Sequence, residues 1–420
     1  TRSLSSAASD VYKRQEVSGL PFWRRPISLL FIMAVAMPIA FSVWSALLNN
    51  FVIQIADFDG SDIGLLHTVR EVPGFLAIGV ILIIMFLREQ TLGLISLALL
   101  GVATALTAYF PSVSGLLIIT LISSFGFHYF ETVNQSLQLQ WLPKEKAPQI
   151  IGWLVGAGSI ATLIVYLGII IGWQKLELSF NFIYLTSGGL TALIAILCLL
   201  FFPTFKTETK QITKLVLRRR YWLYYALQFL SGARRQIFVV FAGFMMVEKF
   251  GFEVHQLTAL LLINLAINIF VAPLFGHFIA HFGERRALII EYLGLVFVFV
   301  AYGGIYLFDW GVVLAATLFV LDHLFFGLRM ALKTYFQKIS APEDIAPTAA
   351  VAFTINHIAA VFLPVLLGLL WLISPAIVFM VAALLAFLSF TLALLVPRFP
   401  DIGNETLLAL KTYSKYKNGE

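Results

Sequence analysis

Twelve stretches of this chain are each apolar over a length that crosses ~30 Å of hydrocarbon, and that alone leaves few folds open. They fall near residues 27–50, 62–87, 92–110, 114–141, 149–173 and 180–203, then near 221–247, 257–281, 287–307, 312–337, 347–371 and 374–397. A backbone surrounded by lipid must satisfy its own amide groups, so such stretches become helices. With 60% of its 420 residues hydrophobic and only 12% charged, the chain has too little polar surface for a water-soluble globule. The expected fold class is therefore an all-α polytopic membrane protein, with twelve transmembrane helices as two pseudo-symmetric six-helix bundles.

Residues 16–203 are assigned to the first bundle, 204–220 to a central loop, 221–397 to the second bundle and 398–420 to a tail. Residues 1–15 stand apart. Ser5-Ser6-Ala7-Ala8-Ser9-Asp10-Val11-Tyr12-Lys13-Arg14-Gln15 reads like a translated sequencing adapter, so this segment is set aside from the fold. Charge then orients the rest. Arg24, Arg25, Arg88, Lys144, Lys146, Arg218, Arg219, Arg220, Arg285, Arg286 and Arg398 fall on one side of the membrane. The other side has Lys175 and Lys249, with Asp57, Asp59 and Asp62 in its first loop. Basic loops stay cytoplasmic, which places both termini inside, in a multi-pass protein expected of a bacterial inner (plasma) membrane. Flanked by spans, the basic central loop reads as a cytoplasmic anchor and not as a nucleic-acid patch.

The fourth span carries the strongest polar signal. Ser124, His128, Glu131, Gln135 and Gln138 are spaced four, three, four and three residues apart, which keeps them on one helical face. An ionisable group in a bilayer costs about 2.5–3.5 kcal/mol on insertion scales, so this face is expected to look onto protein or water. The stretch leaves the membrane through Leu142-Pro143-Lys144-Glu145-Lys146-Ala147-Pro148, and Ala341-Pro342-Glu343-Asp344-Ile345-Ala346-Pro347 repeats that exit. Phe58-Asp59 before the second span likewise matches Phe252-Glu253 before the eighth. Matching spans two, four and five to eight, ten and eleven makes the halves parallel repeats, which puts a substrate site near the midplane between them.

Gly276-His277-Phe278-Ile279-Ala280-His281-Phe282-Gly283-Glu284-Arg285-Arg286 has two glycines seven apart followed by a basic pair. It resembles the signature loop of the major facilitator superfamily, and the six-plus-six plan extends the resemblance from Pro26 to Pro397. The family's usual Asp and following Arg are Ala280 and His281 here, and the matching first-half loop, Leu87 to Gln90, lacks the glycines. For Gly276, Gly283, Arg285 and Arg286 the resemblance implies a gating loop; close helix packing and a tight turn explain the glycines equally well.

The resemblance also implies that spans one, four, seven and ten line a central cavity, and each has a polar face. The first offers Ser42, Ser45 and Asn49, the seventh Tyr224, Gln228, Ser231 and Arg235, and the tenth Asp322, Phe326, Arg329 and Lys333. The candidate substrate cavity is thus Ser45, Asn49, His128, Glu131, Gln135, Gln228, Arg235, Asp322, Arg329 and Lys333. Asp322 and Arg329 also fit a structural ion pair, and Lys333 fits a side chain snorkelling to the interface. Arg70 and Glu71 read as a local pair near the outer end of the second span, and Asn264, Asn268, Asn356 and His357 as packing hydrogen bonds.

Within the spans, Arg70, Arg234, Arg235, Arg329 and Lys333 outnumber Glu71, Glu131 and Asp322, which points to an anionic or carboxylate-bearing solute. There is no Walker loop to draw on ATP, so uphill movement needs an ion, and Glu131, with His128 beside it and Asp322 as the reserve, is the proton-coupling candidate. His128-x-x-Glu131 has metal-ligand spacing without a second such pair, and the lone Cys198 forms no cysteine site, so neither metal nor cofactor is expected. No nucleophile–base constellation suggests an enzyme. The expectation is a monomeric secondary active transporter of a small solute, working by alternating access and proton-coupled. An efflux pump for amphipathic compounds and a transporter-like sensor that no longer transports are the rival readings.

Overall fold

The computed structural model describes residues 20–76, 79–84, 86–142, 147–205, 217–341 and 344–408. The set-aside segment 1–15, Lys144, Lys146 and most of the central loop lie outside the described residues. Among those described, every extended element is helical. The first half comprises α1 (Pro26–Gln54), α2 (Gly60–Phe75), α3 (Gly79–Ile84), α4 (Glu89–Leu106), α5 (Val113–Trp141), α6 (Ala147–Leu176) and α7 (Phe180–Phe201). The second comprises α8 (Trp222–Ile237), α9 (Gly243–Glu248), α10 (Val254–Phe282), α11 (Glu284–Leu307), α12 (Val312–Gly327), α13 (Met330–Ile339), α14 (Ile345–Ile373) and α15 (Pro375–Ala393).

Eleven helical stretches among the described residues are long and apolar enough to cross a membrane. The remaining expected crossing, the second, includes residues outside the described ones; its described parts are α2, which carries Pro73 and Gly74 within it and ends at Phe75, and α3 from Gly79. Two crossings depart from a plain α-helix. The seventh passes from α8 through a π-turn at Phe238–Ala242 into α9. The tenth, expected to run unbroken through 312–337, ends its first part at Gly327 and restarts at Met330, so Arg329 sits at a break and not on a continuous stripe.

The repeat seen in the sequence has a physical counterpart at the helix starts. Phe58 N–H donates to Val52 O and Phe252 N–H to Met246 O, the same six-residue closure in each half. Behind them, Asp62 Oδ2 accepts from Asp59 N–H at 3.3 Å and Gln256 Oε1 accepts from Glu253 N–H at 2.9 Å. In both halves the third residue of the helix therefore caps the residue that precedes it. The Asp59 carboxyl is penalised by burial, yet the hydroxyl of Ser61 and the amides of Ser61 and Asp62 hold its pKa below the ordinary value.

One end of the bundle bears Asp57, Asp59, Glu177, Glu248, Glu253 and Asp309; we call it the acidic end. The other bears Arg24, Arg25, Arg88, Arg218 to Arg220, Arg285, Arg286 and Lys338, and is the basic end. Core packing differs between them. At the acidic end a single apolar core joins the halves, with Phe51, Leu66 and Tyr184 from the first and Phe241, Phe244 and Trp371 from the second. At the basic end there are two cores, one drawn wholly from the first half around Leu30, Phe130 and Leu137, the other wholly from the second around Tyr224, Leu288 and Tyr335. The bundle is closed at the acidic end and parted at the basic end.

Candidate functional site

The seam between the halves runs along α2 and α14. A Cβ on Gly64 would lie 2.3 Å from Pro364 O, and one on Gly368 would lie 2.5 Å from Gly60 O, so backbones touch where only glycine fits. Val365 N–H donates to Thr68 Oγ1 at 3.1 Å, and nearer the acidic end Asn50 Nδ2 donates to Phe252 O at 2.6 Å. One helical turn deeper than Thr68 the seam becomes charged. Glu71 is eleven residues into α2, or about 16 Å along its axis, which is mid-membrane depth for a ~30 Å core.

Glu71, only 3% exposed, is the hub. Its Oε1 accepts from Arg70 Nη1 at 3.2 Å, and its Oε2 lies 3.9 Å from Arg235 Nη2 and 3.7 Å from His357 Nε2. Arg70 and Glu71 are first-half residues, while Arg235 on α8 and His357 on α14 belong to the second. The expected local pair near the outer end is therefore a junction of the halves at the centre of the bundle. Sequence spacing leaves Arg70-Glu71 and His357 apart, because nothing in it brings α2 to α14. The available signal is the cost of two adjacent charges inside a span.

The surrounding residues fix this junction. Arg70 sits over the rings of Trp44 and Phe41, 5.0 and 5.8 Å from their centroids, and Ser124 Oγ donates to its backbone carbonyl. Arg235 Nη2 donates to Asn356 Oδ1 at 3.3 Å, while Asn356 Nδ2 donates to Gln228 O at 3.2 Å, so α8 and α14 present their polar groups together. Gln228 Nε2 donates to Tyr224 Oη at 3.0 Å. His128 on α5 stands edge-to-face with His357, ring centroids 5.7 Å apart. Room for both imidazoles comes from Gly74, where a Cβ would meet His357 at 2.6 Å and His128 at 2.7 Å.

The other expected cavity residues divide by place. Arg235 keeps 29% of its side chain exposed, and Arg329, at the break between α12 and α13, is exposed and within range of its charge. Lys333 and Gln135 are exposed and Ser45 is half-buried. Asn49 lies at the seam, where a Cβ on Gly243 would meet its Nδ2 at 2.7 Å. Glu131 is hydrogen-bonded to Gln135, and the described carboxylate within ion-pair reach of Arg235 is Glu71. Asp322 is buried inside the second half with Oδ2 unpartnered, and among the described residues it forms no ion pair with Arg329. Arg234, one residue from the seam, points instead into its own half, 3.7 Å from the fully buried Glu291 and over Tyr292. Among the described residues no group of three or more His, Cys, Asp or Glu is placed to hold a metal ion.

In the loop resembling the family signature, Gly283 ends α10 at φ 85°, a conformation that favours glycine, and Glu284 opens α11 by pairing with Lys338 at 2.7 Å. A Cβ on Gly276 would meet nothing within 4 Å, so tight packing does not explain that glycine. Gly152 and Gly156 also face open space. Arg285 is half-buried and Arg286 exposed.

The profile of the Major Facilitator Superfamily matches residues 27–364. The chain belongs to this superfamily. No curated protein matches it by sequence. Solved structures share its fold. A mutant of the nucleoside transporter NupG superposes with TM-score 0.73 at 15% identity, covering 88% of this chain and 100% of that chain. A D-xylose-proton symporter superposes with TM-score 0.69 at 11% identity over 92% and 99% of the two chains. An auto inhibited POT family peptide transporter does so with TM-score 0.66 at 13% identity over 88% and 95%. The charged junction of this chain lies where its two halves meet.

Proposed function

We propose that this chain is a secondary active transporter that moves a small anionic or carboxylate-bearing solute by alternating access, coupled to protons. The observation that supports the solute class is the charge around the junction: Arg70 and Arg235 share one carboxylate, Glu71, and Arg329, exposed at the break in the tenth crossing, adds a third cation within range of Arg235. Arg235 and Arg329 both have exposed surface, and a planar guanidinium binds a carboxylate through two parallel hydrogen bonds. A solute anion between them offsets a repulsion that the bare site otherwise bears.

The positive-inside rule makes the basic end cytoplasmic, so the parted arrangement is inward-facing, and solute leaves or enters from the cytoplasm in this state. Glu131 with His128 on α5, and Asp322 on α12, are the groups inside each half that we assign to proton coupling. The sugar–proton symporter among the similar folds supports that kind of drive for this architecture.

A thermal-shift screen of the purified protein against carboxylates and phosphorylated metabolites identifies the ligand, and uptake into proteoliposomes measures its movement. Arg235→Gln and Arg329→Gln are each expected to weaken binding about 10-fold or more, as loss of a charge-assisted bond of about 1.5–3 kcal/mol implies. Expression and melting temperature are expected to stay close to wild type. Unchanged affinity in both variants contradicts the anion reading. Binding without any flux contradicts transport itself and leaves the sensor reading.

A further inference from the structure

His357 and Glu71 face each other across the seam in an arrangement that lacks one proton. His357 Nδ1 lies 2.9 Å from Phe353 O, and a carbonyl oxygen only accepts, so Nδ1 carries a hydrogen. In a neutral imidazole Nε2 is then a bare lone pair. It points at Glu71 Oε2, 3.7 Å away, an acceptor that is buried and has no hydrogen-bond partner. Two acceptors facing each other in a buried site repel, and a single added proton turns that repulsion into a charge-assisted pair.

We propose that one proton binds between His357 Nε2 and Glu71 Oε2, bridging the two halves, and holds the acidic end shut. The proposal rests on the transporter reading and adds to it the site at which a proton acts on the gate. Its neighbours set the direction of the effect. On the first half, Arg70 is committed to Glu71 Oε1, and His128 brings an unpartnered Nε2 close to His357. On the second half, Arg235 lies beside His357 and Asn356 takes its guanidinium. While the halves meet here, Glu71 stabilises the proton. When they part, His357 leaves with Arg235, loses the carboxylate, and the cation beside it drives the proton off. Proton affinity is thus higher in the state closed at the acidic end. That state is favoured at low pH and loses the advantage as pH rises through the affinity of the bridged site.

The test is a distance measurement on the full chain in nanodiscs, with protons as the only ligand. Spin labels replace Ile55 and Val313, exposed residues of the two halves at the acidic end, in a Cys198→Ser background. Between pH 5 and pH 9 the wild-type distribution is expected to move from short to long distances. His357→Gln, which keeps a hydrogen-bonding side chain without a titrating nitrogen, is expected to give a distribution that no longer changes with pH. Glu71→Gln is expected to do the same. If Glu71→Gln does not fold, His357→Gln alone decides. A wild type indifferent to pH overturns the proposal, as does an unaltered pH response in His357→Gln. Neither outcome touches the transport reading, which stands or falls on flux.

Discussion

The acidic and basic ends of this bundle are held in opposite ways. At the acidic end the halves share one core, and their backbones meet at Gly60, Gly64 and Gly368. At the basic end each half is tied to itself. Asp344, 2% exposed at the start of α14, accepts from Arg218 at 2.9 Å, Arg220 at 2.6 Å and Tyr221 at 3.0 Å, all from the approach to α8. Lys338 joins α13 to Glu284 of α11, and in the first half Glu89 at the start of α4 accepts from Ser136 and Gln140 of α5. Among the described residues no ion pair or hydrogen bond joins the halves at that end. Apolar contact between small residues is non-directional and can be made and broken as a surface, whereas charged ties inside each half keep it rigid while it moves. The difference is what rocking about a fixed centre requires.

The largest expected effect comes from the point where the two ends meet. Glu71→Ala leaves Arg70 and Arg235, both half-buried, around an empty site, and breaking a pair whose carboxylate is buried costs up to about 3–5 kcal/mol. A clear fall in melting temperature in detergent checks this; an unchanged melt would show that the junction does not hold the halves together.

Gly64→Val comes next. Its Cβ cannot sit 2.3 Å from Pro364 O, so the seam must open, and overpacking of about 1–3 kcal/mol shifts the closed-to-parted ratio by roughly 5- to 150-fold. Labelling of a cysteine placed at Thr68 by an impermeant thiol reagent added from the acidic side is expected to rise. No rise would mean that the acidic end is not sealed by this contact.

The smallest effect belongs to Asp344→Asn at the basic end. Burial disfavours the Asp344 carboxylate, but hydrogen bonds from Arg218, Arg220 and Tyr221 outweigh that and lower its pKa. A lowered carboxyl stabilises the fold above its unfolded value of ~3.9, and the contribution is lost as pH falls through the lowered one. The variant is expected to melt a few degrees lower at neutral pH and to lack this part of the wild-type loss on acidification. Acidic-end distances are expected to stay unchanged, which separates a tie within one half from a tie between halves.

Much of this architecture is legible in the sequence because lipid imposes it: length and hydropathy set the crossings, and the Phe-acid repeat marks matching helix starts. What the sequence hides is local or long-range. Leu328-Arg329 interrupts the tenth crossing within an apolar pattern that reads as continuous. Arg235 is legible from its own stripe, and Arg329 as a charge inside an apolar stretch, though the helix break that carries it is not. Glu71 is not, since its role depends on α2 packing against α14, nearly three hundred residues away. Glu131, prominent on its helix, instead bonds Gln135 one turn along the same face.

If the halves rock about the Glu71 junction, the two ends open and close in opposition, and two label pairs on one background measure both. Ile55 with Val313 reports the acidic end, and Arg88 with Arg286, exposed on opposite halves, reports the basic end. Introducing Gly64→Val is predicted to lengthen the first distance and shorten the second. Lengthening at the acidic end with no shortening at the basic end would contradict the account.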